Sequence, residues 1–207
     1  MRLLPVLMAL TVLPACFSGL NSKAPLQQRY VLRPALPPAR PGPPDLGATV
    51  EVLRATGAPG LAGEGIAVLR PGARLDFYSN ARWAADAPAA LQSLVIESLR
   101  GAGRFATVES ESAPFAARFV LSLELEHFEA VYGPEGPPTI QVALFCSLGR
   151  RSDRNMIVSF LASSSVPAQA DRMQAVMAAF EQATSEALSQ IAANIVPPTA
   201  LPGTAAP

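Results

Sequence analysis

The chain has 207 residues, a formal net charge of +0, and 15% charged against 50% hydrophobic residues. That balance speaks against a nucleic-acid binder, which needs a basic surface. The length suits one core of comfortable size once terminal segments are set aside.

Met1 and Arg2 give a charged start, residues 3–13 are almost wholly apolar, and Pro14-Ala15-Cys16 follows. A charged start, an apolar stretch and a small residue before a cut site make an export signal. The stretch is too short to span a bilayer as a mature helix. A Cys directly after the cut site resembles the lipobox of bacterial lipoproteins, with Pro14 in place of the usual Ala, Ser or Thr. The alternative is an ordinary cleaved signal with an incidental Cys. The resemblance implies a signal peptide over 1–15 and lipid attachment at Cys16, the new N-terminus. Several acyl chains hold a protein firmly where one holds it weakly. Phe17, rather than Asp, follows Cys16. Within that resemblance this favours the periplasmic face of the outer membrane over the inner membrane.

Residues 16–48 read as a lipidated start, a short strand near Arg29-Tyr30-Val31-Leu32, and a proline-rich linker from Pro34 to Pro44. Proline fixes φ and lacks an N–H, so this linker is neither a central strand nor a helix. A domain over 49–196 follows. Val50 and Val52 mark a strand over 49–55, a Gly/Pro turn covers 57–60, and a buried strand covers 65–70. Pro71-Gly72 turns the chain into a hairpin partner over 74–78, with Leu75 and Phe77 on one face. Asp86 caps a helix with Pro88 in its first turn. Leu91, Leu94, Val95 and Leu99 recur at helical spacing, and Gly101 and Gly103 end it. A brief strand over 105–108 follows.

Phe119, Leu121, Leu123 and Leu125 alternate with more polar neighbours, as do Ile140, Val142, Leu144, Cys146 and Leu148. Met156, Val158 and Phe160 continue the pattern, so residues 119–161 read as an antiparallel meander. Asp171 is placed as the cap of a long helix whose stripe runs from Met173 to Ile195. Pro197-Pro198 stops it, and 197–207 is a proline-rich tail expected to be disordered. The fold class is α+β: a mixed, largely antiparallel sheet with two main helices packed on it.

Chemistry is sparse. His127 is the one histidine, without Cys or carboxylates at ligand spacing, so no metal site is expected. It reads as a strand-edge residue, hydrogen-bonded or solvated. Gly-x-Ser-x-Gly is absent, and Gly60, Gly63 and Gly65 do not fit a dinucleotide fingerprint. Glu124, Glu126 and Glu129 read as a solvated strand face, and Arg150, Arg151 and Arg154 as solvated turn charges. Cys146 has no partner left if Cys16 carries lipid, and its place in an apolar run makes it a buried, reduced thiol. No catalytic residue, cofactor or metal is assigned.

The segment from Phe77 to Ala84 holds the only Trp and reads as a loop from strand to helix. Tyr78, Arg82 and Trp83 are candidate partner-binding residues, because such side chains are enriched at interface hot spots. The alternative is a Trp packed beneath the loop.

Several marks together resemble one family. Tyr30-Val31-Leu32 follows the lipidated Cys. Arg82-Trp83-Ala84 and Pro88 lead into an amphipathic helix ending near Leu99, Gly101 and Phe105. A strand ending in Phe128-Glu129 precedes two long strands and a terminal helix. This pattern resembles the ABC-type transport auxiliary lipoprotein family (PqiC-like), over about residues 30–195. The resemblance implies a non-catalytic periplasmic component of a lipid-trafficking system. Its implied partners are a mammalian-cell-entry (MCE) domain protein, which forms a hydrophobic conduit, and an inner-membrane ABC permease and ATPase. The chain would dock the conduit at the outer membrane. Gly-x-x-x-x-Gly-Lys-Ser/Thr is absent, so the ATPase is another chain. The competing reading is an assembly or adaptor lipoprotein that binds an outer-membrane barrel or another envelope partner.

Overall fold

A computed structural model describes residues 27–39, 44 and 46–195 of the chain. The expected signal peptide, Cys16 and the tail over 197–207 lie outside the described residues. The elements follow in the order β1 (Gln28–Tyr30), β2 (Leu46–Val52), β3 (Thr56–Gly57), β4 (Gly65–Arg70), β5 (Arg74–Trp83), α1 (Ala87–Ala102), β6 (Phe105–Ser110), β7 (Phe119–Val131), β8 (Thr139–Arg150), β9 (Met156–Pro167) and α2 (Met173–Asn194). This is the expected α+β fold, one mixed sheet with two helices.

Strand β7 is the hub. One of its edges pairs antiparallel with β8 from Phe119↔Arg150 to Val131↔Thr139, and β8 carries β9 in turn. Its other edge is shared by three short parallel strands. β2 meets it at Phe119–Leu121, β3 at Glu124–Leu125 and β4 at Glu129–Val131. Beyond β2 lies β6, parallel; beyond β4 lie β5, antiparallel, and then β1, parallel to β5. The long ladders are the antiparallel meander that the alternation predicts.

A register shift between Leu125 and His127 puts an extra residue into β7. An extra residue in one strand swaps which face its neighbours occupy. Leu121, Leu123 and Leu125 point to the core before it, and Phe128 and Ala130 after it. Glu126 and His127 are the two adjacent exposed residues at the shift.

The helices cover the core face of the sheet, α2 on β8 and β9, α1 on β6 and β2, and they touch each other. In α1, Asp86 accepts a hydrogen bond from the Ala89 N–H at 3.0 Å, Pro88 stands in the first turn and Gly103 ends the helix at φ 67°. Gly101 belongs to the helix itself. In α2 the expected cap is corrected: Arg172 occupies the cap position without a side-chain bond, and Asp171 instead accepts from the Tyr132 hydroxyl at 2.6 Å. At 22 residues α2 spans roughly 33 Å, enough to cross the sheet.

Residues 31–39 are neither helix nor strand, as the prolines lead one to expect, yet they form a docked strap and not a free spacer. Leu32 and Pro34 are buried. The Arg33 N–H donates to Glu181 Oε1 at 3.2 Å, and Ser185 Oγ donates to the Ala35 carbonyl at 2.6 Å. Glu181 and Ser185 lie one turn apart on α2, so the strap runs along that helix.

Candidate functional site

The segment read as a strand-to-helix loop is strand β5 itself, which continues to Trp83. Ser79 and Asn80, poor strand formers, hide this in the sequence. β5 tolerates them because its pairing with β4 shifts register between Gly65 and Ala67, and because β1 pairs alongside Ala81, Arg82 and Trp83.

Alternation along this strand separates the three candidate residues. Trp83 faces the core at 2% exposure. Its ring lies 5.2 Å from Phe128, tilted, and 5.2 Å from Phe180, edge-on. Its backbone N–H donates to the Glu64 carbonyl at 2.7 Å, and its indole Nε1 has no partner among the described residues. This corrects the reading of Trp83 as a partner-facing anchor: the side chain of a core residue offers no surface. Arg82 points the other way and is exposed. Tyr78 is half-buried and shares a 3.0 Å hydrogen bond with the Tyr132 hydroxyl, which donates to Asp171. Burial raises the Tyr78 hydroxyl above its ordinary pKa. Burial first, and the bond to Asp171 second, do the same for Tyr132. The Arg70 guanidinium lies 4.9 Å from the Tyr132 ring centre. Tyr78 therefore ties β5 to the start of α2.

Beside Trp83 runs an apolar groove of about 240 Å3 between the strap and α1, lined by Tyr30, Leu32, Trp83, Ala84 and Leu94 among others. The strap marks Tyr30-Val31-Leu32 and the Trp83-Ala84 pair, which carry the family resemblance, meet here. No periodicity could have shown that, because strap and helix are distant in sequence.

The sheet face opposite the helices carries Phe77 and Leu161, each about half-exposed, and Leu75. Phe77 packs against Gly65, where a Cβ would come to 2.5 Å from its ring. Glu124 and Glu126 are exposed, as expected. Glu129 departs from that expectation. It is 5% exposed, accepts the Phe128 N–H, and lies 2.6 Å from His127 Nδ1. The half-exposed imidazole is thus held by a buried carboxylate. Among the described residues no three His, Cys, Asp or Glu side chains are grouped to hold a metal. Cys146 is fully buried, and desolvation pushes its thiol up to about 12. Among the described residues no helix is long and apolar enough to cross a membrane.

Two examples among the similar solved structures show this architecture. Protein XCC0632 from Xanthomonas campestris superposes with a TM-score of 0.71 at 23% identity, over 80% of this chain and 92% of that one. An uncharacterized protein superposes with a TM-score of 0.63 at 15% identity, over 83% and 99%. At these identities the likeness is one of fold. No curated protein matches the chain. The family model of the ABC-type transport auxiliary lipoprotein component matches residues 30–192, from the last residue of β1 into the final turn of α2. The chain therefore belongs to the ABC-type transport auxiliary lipoprotein family.

Proposed function

We propose that this protein is the non-catalytic, lipid-anchored periplasmic component of an ABC/MCE-type intermembrane lipid transport system, and that it docks the transport conduit at the outer membrane. The observation that carries the reading is the extent of the family match. It takes in the strap, both helices and every long strand, so the auxiliary role belongs to the whole domain. The charged start, apolar stretch and Cys16 support the anchor.

Docking needs a rigid scaffold that presents exposed side chains. Trp83, packed with Phe128 and Phe180 in a cluster of three rings each 5.2 Å from the others, fixes the end of β5, and Arg82 projects from the same strand into solvent. Within this reading Arg82 contacts the partner, while Tyr78 and Trp83 hold the strand that presents it. Arginine at an interface offers a planar fork of donors and an apolar stem, which suits such a contact.

The test is recovery of the tagged, acylated chain from membranes, with co-purifying proteins identified by mass spectrometry. An MCE-domain protein together with ABC permease and ATPase subunits is expected. The Arg82→Ala chain should melt unchanged and recover at least severalfold less of the MCE protein. Recovery of barrel-assembly proteins with no MCE or ABC subunit would sink the transport reading.

A further inference from the structure

We propose that the groove under the β8–β9 turn is a binding site for a phosphate group, and that it stands apart from the conduit-docking surface. The groove has a volume of about 460 Å3, and Arg150, Arg151 and Arg154 all line it, with no carboxylate among its lining residues.

The turn is held in place before any ligand arrives. The Arg150 N–H donates to the Asn155 carbonyl at 2.9 Å, and the Arg151 N–H donates to the Arg118 carbonyl at 3.0 Å. The Asn155 N–H donates to Asp153 Oδ1 at 3.2 Å. That bond, with Arg150 nearby, keeps the exposed Asp153 carboxyl below its usual range. Arg150 reaches Asp153 Oδ2 at 2.8 Å, and Arg151 reaches Glu51 on β2 at 2.6 Å. Two of the three guanidiniums are therefore positioned by carboxylates. Positioning before binding lowers the ordering cost of capturing a ligand.

Arg154 is different. Among the described residues it has no hydrogen-bond or ion-pair partner. Its backbone is left-handed, at φ 55°. That conformation is uncommon for a side chain of this kind, and a turn without a task for Arg would favour Gly or Asn there. The groove thus holds an uncompensated cation beside two oriented ones.

The chemistry of the walls names the ligand class. Guanidinium forks match the oxygens of a phosphate in a bidentate manner. Ser122 and Ser147 add hydroxyl donors on the same wall. Val120 and Met156 supply an apolar border, Met156 at 62% exposure. Phosphate alone would use the guanidiniums. A phosphate ester with an apolar chain would also cover Val120 and Met156.

Calorimetry of the full, acylated chain in a neutral detergent tests this with three probes: inorganic phosphate, hexyl phosphate and hexanol. We expect saturable binding of at least one phosphate probe and none of hexanol. Arg154→Ala should weaken that binding about tenfold or more, the loss of one charge-assisted hydrogen bond, with the melting temperature unchanged. Arg154→Lys should recover part of it, because it keeps the charge but loses the fork. Hexyl phosphate binding at least tenfold tighter than phosphate assigns the site to an amphiphile's headgroup. Equal affinities assign it to the free oxyanion. Failure of both phosphate probes to bind, or binding that Arg154→Ala leaves unchanged, overturns the proposal. Neither result bears on recovery of the MCE protein, so the two readings fail separately.

Discussion

Trp83 is almost wholly buried in the core, in contact with two phenyl rings, and among the described residues its Nε1 has no partner to lose. Both facts set what substitution does. Truncating a large buried aromatic costs about 3–5 kcal/mol, through lost transfer energy and the cavity left behind. Trp83→Ala should therefore lower the melting temperature steeply, while Trp83→Phe, which keeps a ring against Phe128 and Phe180, should lose much less. Differential scanning calorimetry decides it; equal losses would show that the ring contacts are not what the indole supplies. Cys146 carries a second expectation at this scale. Its folded thiol, pushed up to about 12 against a reference value of 9.0, stays protonated where the unfolded thiol ionises. The unfolded chain then binds fewer protons than the folded one. This contribution to stability is complete below about pH 9 and falls as pH rises toward 12, by about 1.4 kcal/mol per unit at most. Urea titrations of wild type and Cys146→Ala across that window should diverge in slope. The raised Tyr78 and Tyr132 hydroxyls contribute to both chains alike and cancel in the comparison. A thiol reagent should label Cys146 slowly at neutral pH and fully after denaturation, and rapid native labelling would contradict its burial.

Among the elements, the two helices start in different ways. Asp86 caps α1 and also receives Arg54 at 2.8 Å, so Asp86→Ala removes a cap and an ion pair together. Loss of about 1 kcal/mol is expected, mostly from the cap, because the Arg54 pair is largely solvated. Chemical denaturation checks it, and an unchanged midpoint would mean the first turn is held by packing alone. α2 begins without such a cap, since Asp171 is committed to Tyr132. Its stability rests on the stripe that it buries against β8 and β9. The same helix shields a sheet edge. β9 pairs with β8 only, and an open edge invites another strand. The Gln190 side-chain amide takes the Ser163 N–H at 3.0 Å and donates to its carbonyl at 2.8 Å, while Ser164 donates to Glu186 at 2.6 Å. These bonds replace part of the missing neighbour strand.

At the scale of the molecule, the family match spans residues 30–192, and the lipid anchor proposed at Cys16 lies upstream of it. Cys16→Ser should abolish acylation and leave the protein unprocessed or in the soluble fraction. Unchanged co-sedimentation with outer membrane would refute the anchor. The amino-acid sequence by itself determined the meander, both helices and the capping of α1 by Asp86. These are local patterns, written in periods of 2 and 3.6 or in a few adjacent residues. Only the tertiary structure decided the sharing of one β7 edge among β2, β3 and β4 and the docking of the proline-rich strap on α2. It also turned Trp83 inward and Arg82 outward, and set Arg151 against Glu51. A local pattern states that a strand has two faces. Which distant segment lies beside it, and which face meets the helices, follows from contacts between residues tens of positions apart, where register shifts such as those in β5 and β7 reset the alternation.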